Sequence, residues 1–254
     1  MEPVVEVENL NLIIESRHIL KNVSFQVNKG EVFTILGGSG SGKTTITKCI
    51  VGLLKPTSGS INVFGKNLTQ INPLELNGLR REVGYVFQGA ALFDSLKVWE
   101  NVVFYYLEHS NMKEEELKEI ALTYLKMVGL EEHTLGLYPS ELSGGMKKRV
   151  GIARAIATQP KLVIYDEPTS GLDPITSRLI DNLIKELRDK TSSTALVVSH
   201  DMVSAFTISD RIMILKEGQV IFIGTPQEVL ASQDPFVREF LRSGLGELQA
   251  INKG

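Results

Sequence analysis

Gly37-Gly38-Ser39-Gly40-Ser41-Gly42-Lys43-Thr44 constrains this chain more than any other stretch. An apolar run, Val32 to Leu36, precedes it, and a helical-looking stretch from Thr45 to Leu54 follows. Strand, glycine loop and helix in that order are what a phosphate-binding loop requires. Glycines allow a tight curl that a β-carbon forbids. The curled amides and the helix N-terminus then form a cradle for a polyphosphate anion. Lys43 is suited to reach the β- and γ-phosphates, the Thr44 hydroxyl is suited to ligate magnesium, and Thr45 opens the helix. A merely flexible glycine-serine turn would not need the flanking strand and helix. The expectation is a nucleotide site.

Composition narrows the class. The 254 residues suit one large domain, or one domain with an inserted lobe, and 43% hydrophobic residues can form a substantial core. A net charge of −3 gives no electrostatic reason to expect nucleic acid. Lys147-Lys148-Arg149, the one compact basic run, reads as a solvated helix face. Cys49 is the single cysteine, so no internal disulfide can form; it reads as a small core residue, and a reducing compartment fits. The N-terminus lacks a signal-peptide pattern, and no apolar run is long enough to cross a bilayer. Any membrane part is expected on another chain.

Along the chain, short strands are expected at Val4–Val7, Leu10–Ile14, Val23–Val27, Val32–Leu36, Ser60–Phe64 and Val83–Phe87. From Val98 to Leu130 the periodicity is helical. Leu117, Ile120, Ala121, Tyr124, Leu125 and Val128 share one face, with Asn111 and Glu114 as a capping pair and Gly129 as the stop. Residues 89–145 therefore read as a helical lobe inserted into an α/β core. The α/β rhythm then resumes with a helix at Gly144–Ala157, strand Leu162–Asp166, a helix at Ile175–Lys190 and strand Ala195–Ser199. A hairpin turned at Glu217-Gly218 follows, with helices near Pro226–Ser232 and Pro235–Arg242. The expected organisation is one domain over 1–245 and a short polar tail, 246–254.

The strand Leu162–Asp166 ends in two carboxylates, Asp166 and Glu167. In nucleotide-binding α/β sheets such strand ends lie beside the glycine loop. Asp166 is thus a candidate magnesium ligand, and Glu167 a candidate general base or water-orienting group. Two acids capping the next helix would be the plain alternative. Ser143-Gly144-Gly145 opens another helix, and hydroxyl, amides and dipole there suit a second anion. An ordinary serine N-cap is the competing reading. With a helical lobe between them, two phosphate sites on one chain can share a phosphate only across two copies of the chain.

At this point the resemblance becomes specific. The glycine loop, Gln88, Leu142-Ser143-Gly144-Gly145, Asp166-Glu167, Ser170-Gly171-Leu172-Asp173 and His200, in that order, resemble the ATPase domain of an ABC transporter over nearly the whole chain. That resemblance implies an α/β P-loop NTPase fold with a RecA-like core, an N-terminal antiparallel β subdomain and an inserted α-helical subdomain. It implies ATP and Mg2+, and a head-to-tail homodimer with ATP at the interface. Each ATP would be held by the glycine loop of one copy and by Ser143, Gly144 and Gly145 of the other. Gln88 would contact magnesium and the attacking water, His200 the γ-phosphate, and Asp173 would communicate across the dimer. Ile14 stands where the family carries an aromatic residue against adenine, and Met146 where it usually carries glutamine.

Finer stretches resemble the ATPase subunit of Mla/MCE-type lipid transporters. These are Phe87 to Leu96 with Val98 to Val102, Tyr138 to Met146, and Asp234 to Leu241. The resemblance implies a transmembrane permease and an MCE-domain protein as partners, with a STAS-domain subunit in some members, at the cytoplasmic face of a bacterial inner membrane. An amino-acid or small-solute importer is the nearest alternative. ATPases of this type that act on DNA or ribosomes usually carry long coiled-coil insertions or tandem cassettes, and this chain has neither. A regulator without turnover is disfavoured by the intact Glu167 and His200.

Overall fold

The computed structural model describes residues 3–251. In chain order its elements begin with β1 (Pro3–Ile14), β2 (Arg17–Asn28), β3 (Val32–Leu36), α1 (Lys43–Ile50), β4 (Ser58–Val63), β5 (Lys66–Asn67), α2 (Pro73–Arg81) and β6 (Val83–Val86). There follow α3 (Val98–Val102), α4 (Phe104–His109), α5 (Glu114–Met127), α6 (Gly144–Ile156), β7 (Leu162–Asp166), α7 (Pro174–Thr191) and β8 (Thr194–Ser199). The chain closes with α8 (Met202–Ile208), β9 (Arg211–Lys216), β10 (Gln219–Gly224), α9 (Pro226–Ala231) and α10 (Pro235–Ile251). Two units are formed, one from residues 1–79 with 194–254, the other from 80–193.

In the first unit β1 pairs antiparallel with both β2 and β4, and β4 with β5. Strands expected separately at Val4–Val7 and Leu10–Ile14 form one strand interrupted by a register shift, where Asn9 takes φ 48° and its N–H donates to Ser24 Oγ at 2.8 Å. A bulge keeps both halves paired while breaking the alternation that marks a strand in sequence. The same unit holds β3 between parallel neighbours β8 and β9, with β10 antiparallel on β9. All five β3 residues are buried, as a strand covered on both faces must be. Beneath this sheet, Leu36, Ile212 and Ile214 pack with Met202, Ala205, Val229, Val237 and Leu241.

In the second unit β6 runs parallel to β7, with Val83 opposite Leu162 and Val86 opposite Tyr165. A β-carbon on Gly84 would lie 2.4 Å from the Ala155 carbonyl, so α6 reaches the strand because that residue is glycine. Between β6 and α6 lie α3, α4, α5 and two short 3-10 turns, with no strand among the described residues. Leu117, Ala121, Tyr124, Leu125 and Val128 are buried as their spacing predicts. Asn101, fully buried, ties down the preceding loop: its amide donates to the Phe93, Leu96 and Lys97 carbonyls and its oxygen accepts from Phe93 N–H, at 2.8–3.1 Å.

Several local expectations change. Lys113, not Asn111, precedes α5, and Lys113 N–H donates to Glu116 Oε2 at 2.9 Å, while Gly129 at φ 72° ends the helix as expected. The helix after the glycine loop is Lys43–Ile50 rather than Thr45–Leu54, and the last helix continues past Arg242 to Ile251. Of the expected tail, residues 252–254 lie outside the described residues. Among the described residues no helix is long and apolar enough to cross a membrane.

Candidate nucleotide site

The first unit carries Ile14, the glycine loop with Lys43, Thr44 and Thr45, and His200. The second carries Gln88, Ser143, Gly144, Gly145, Asp166, Glu167 and Asp173.

Leaving buried β3, the loop curls through Gly40 at φ 75° and Gly42 at φ 105°, left-handed values that a side chain would strain. Lys43 is buried and folds back over the loop, donating to the Gly37 carbonyl at 2.8 Å and the Gly38 carbonyl at 3.0 Å. Ser41 Oγ is buried and has no hydrogen-bond partner. Buried hydroxyls are rarely left so, and one at a glycine cradle is explained by an anion that completes it. Gly38, Ser39 and Gly40 stay exposed, leaving the cradle open. Thr44 and Thr45 occupy the first turn of α1. Ile14, at the end of β1, is 42% exposed, and His200, just after β8, is exposed.

The hairpin tip between β9 and β10 braces this loop, which the sequence reading missed. Gly218 N–H donates to the Ser41 carbonyl at 2.9 Å, and its carbonyl accepts from Lys21 N–H at 2.8 Å. A β-carbon on Gly218 would lie 2.0 Å from the Ile19 carbonyl oxygen, at φ 77°. Gly218→Ala is therefore expected to lower unfolding stability by roughly 2–4 kcal/mol, read as a lower denaturant midpoint. Glu217-Gly218 signals a turn in sequence, but its contact with residues 19–41 is long-range.

In the second unit, buried β7 delivers Asp166 and Glu167, which are themselves buried. Tyr85 donates its hydroxyl to Asp166 Oδ2 at 3.2 Å, fixing that carboxylate. Glu167 takes φ 50°, and its carbonyl accepts from Ser170 N–H and from Lys148 Nζ, each at 3.2 Å. Lys148 Nζ also donates to the Gln88 carbonyl, and Gln88 Nε2 donates to Ser170 Oγ at 3.2 Å. Gln88, Glu167 and Ser170 are thus brought together, with Lys148 between them.

Lys148 corrects the reading of the basic run as a solvated face. It is 6% exposed, and Arg149 donates to the Val128 carbonyl at 2.8 Å. Burial pushes the Lys148 pKa down, opposed by the carboxylates of Glu167 and Asp166. Cys49 is buried as expected, and burial raises its thiol to about 11.

Ser143 caps α6, its Oγ accepting from Met146 N–H at 3.3 Å, yet Ser143 and Gly144 remain exposed. Capping and an open helix start coexist. Gly144 and Gly145 lie against the turn that starts α7: β-carbons there would meet Leu172 Cδ2 at 3.7 Å and Thr176 Cγ2 at 2.8 Å. Asp173 caps α7, accepting from the Ile175 and Thr176 N–H groups at 3.0 Å and the Thr176 hydroxyl at 2.5 Å. These bonds, that from the Thr176 hydroxyl foremost, hold the Asp173 carboxyl below its usual range.

Comparison with known proteins agrees with this architecture. The ABC transporter family model matches residues 20–170. The chain is 41% identical over 239 residues to the intermembrane phospholipid transport system ATP-binding protein MlaF of Haemophilus influenzae, covering 94% of this chain and 90% of that one. It is 39% identical over 261 residues to protein TRIGALACTOSYLDIACYLGLYCEROL 3, chloroplastic, of Arabidopsis thaliana, covering 95% and 74%. Among solved structures it is similar to the dimeric bacterial ABC transporter cassette MJ0796, with TM-score 0.81 and 35% identity over 87% of this chain and 98% of that one. The chain belongs to the ABC transporter family, as one of its ATP-binding and ATP-hydrolysing cassettes.

Proposed function

We propose that two copies of this chain power a phospholipid transporter of the Mla/MCE type, closing head to tail on two ATP molecules. The observation that carries the reading is the likeness to a phospholipid-transport cassette across 94% of this chain. The dimeric form of a similar cassette supports the pairing.

In this reading the amides of Gly38 to Gly42 and the Lys43 ammonium hold the β- and γ-phosphates. The start of α6, Ser143-Gly144-Gly145, meets the γ-phosphate bound to the other copy. Glu167 orients and polarises the attacking water, with Gln88 and His200 beside the transferred phosphoryl. Asp173 carries the state of one site to the other, and Ile14 faces the base.

The donor set fits magnesium. A hydroxyl, a carboxamide oxygen and a carboxylate are hard oxygen donors, and magnesium takes few of these beside waters and phosphate oxygens. Thr44, Gln88 and Asp166 would hold the ion, which would offset charge on the phosphates.

Closure draws the helical lobes inward and works on a permease helix seated near Gln88 to Leu96. The permease places the chain at the cytoplasmic face of a bacterial inner membrane, with an MCE-domain protein and, in some complexes, a STAS-domain subunit. Purifying the tagged chain from membranes tests this. The expected product is a complex with a polytopic permease, an MCE-domain protein and bound phospholipid. Small-solute importer subunits, or salt-sensitive recovery of RNA or DNA, would replace the lipid reading.

A further inference from the structure

We propose that Lys148 is a positioning residue that ties the Gln88 loop and the Glu167 turn to α6, so that Gln88 and Glu167 are held in fixed register with each other. The inference rests on the ATPase reading of Glu167 and Gln88.

The hydrogen bonds form a closed ring. Lys148 Nζ donates to the Gln88 and Glu167 carbonyls. Gln88 Nε2 donates to Ser170 Oγ at 3.2 Å, and Ser170 N–H returns to the Glu167 carbonyl at 3.2 Å. Each link bears on the next, so losing one loosens the ring that sets the Gln88 side chain against the backbone from which the Glu167 carboxylate projects. Glu167 is left-handed at φ 50°, a conformation a non-glycine residue holds only when its surroundings specify it.

A structural filler would not be charged. Sinking an ammonium to 6% exposure costs free energy that methionine, of similar length, would avoid. What methionine cannot do is donate to two carbonyls from different loops. Lys148 lies five residues after Ser143, little more than one helical turn, so a displacement of the helix start reaches it directly.

The loop does not depend on Lys148 for its presence. Arg154, six residues further along α6, donates to the Ala90 carbonyl at 2.7 Å and the Ala91 carbonyl at 2.8 Å. Ala90 packs on Gly151, where a β-carbon would lie 3.2 Å from the Ala90 β-carbon. Removing Lys148 therefore loosens aim rather than attachment.

The test is steady-state ATP hydrolysis by the purified protein, with ATP affinity measured separately. Lys148→Met is expected to lower kcat by roughly tenfold to a hundredfold, as small misplacements of reacting groups do, while ATP affinity stays within about threefold. Ser170→Ala, which breaks the ring at its far side, should lower kcat less. The double variant should lose no more than Lys148→Met alone, the mark of residues acting as one unit. Unchanged kcat in Lys148→Met, a loss confined to ATP affinity, or losses that multiply in the double variant would each overturn the proposal. If Lys148→Met does not fold, Lys148→Leu carries the same test, because its side chain donates to neither carbonyl. A wild-type protein that binds ATP without hydrolysing it would instead overturn the reading of the site.

Discussion

Glu167→Gln is expected to abolish steady-state ATP hydrolysis, lowering kcat by roughly a hundredfold to ten-thousandfold, while ATP still binds. The substitution keeps the side chain's size. It also leaves untouched the backbone bonds that hold residue 167, since Ser170 N–H and Lys148 Nζ both donate to its carbonyl. What is lost is a negative charge at the end of β7, the group suited to polarise water. Binding and closure precede that step, so the variant should accumulate as an ATP-bound pair. Phosphate release gives the rate, and size-exclusion chromatography with and without ATP gives the pairing. Wild-type turnover would remove Glu167 from the catalytic role. Turnover lost without pairing would separate catalysis from closure.

The parts of the site legible in sequence are those built from local chemistry. β3, the glycine loop and β7 declare themselves because a fully buried strand is a continuous apolar run and the left-handed positions in the loop are glycine. The hairpin from Arg211 to Gly224 is legible for the same reason, its turn being Glu217-Gly218. Two helices, α2 and α8, lie outside the sequence expectations. α2 carries a signal that could have been used: Asn72 Oδ1 accepts from Glu75 N–H at 2.9 Å, with Pro73 at the first helical position. α8 is harder to see, since its seven residues include valine, threonine, isoleucine and phenylalanine, all weak helix formers. Asp201 holds its start, accepting from the Val203 and Ser204 N–H groups, and Met202, Ala205 and Ile208 bury its inner face.

What sequence could not supply are the long-range supports. Nothing near Gly218 says that its N–H reaches Ser41, and nothing in a basic triplet says that its middle lysine is the buried one. Local composition favours a solvated face for three adjacent charges. Burial is decided instead by the loops that fold over α6, and those come from residues about 60 earlier and 19 later. In both cases a loop of the candidate site is recognisable from its own residues, while a group that braces it belongs to another element. Function in this chain is therefore read locally but positioned at a distance.

Lys43→Ala is expected to weaken ATP binding by roughly tenfold to a thousandfold, the range for removing a charge-assisted hydrogen bond to phosphate. An ammonium has three donors, and in this structure two bonds go to the Gly37 and Gly38 carbonyls. Those bonds draw the ammonium across the curl of the loop, where the orphan Ser41 Oγ also lies. In the proposed reading the substitution removes a phosphate contact together with two braces of the loop. Lys43→Arg separates the effects: it keeps the charge but carries a planar group too wide for a site 6% exposed. Affinity lost in both variants, with the unfolding midpoint little changed, means that the placement of the ammonium carries binding. Affinity retained by Lys43→Arg would assign the role to charge alone. Unchanged affinity in Lys43→Ala would leave the glycine loop without its cation and the cradle reading without support. Titration with a fluorescent ATP analogue, alongside denaturation of each variant, distinguishes these outcomes.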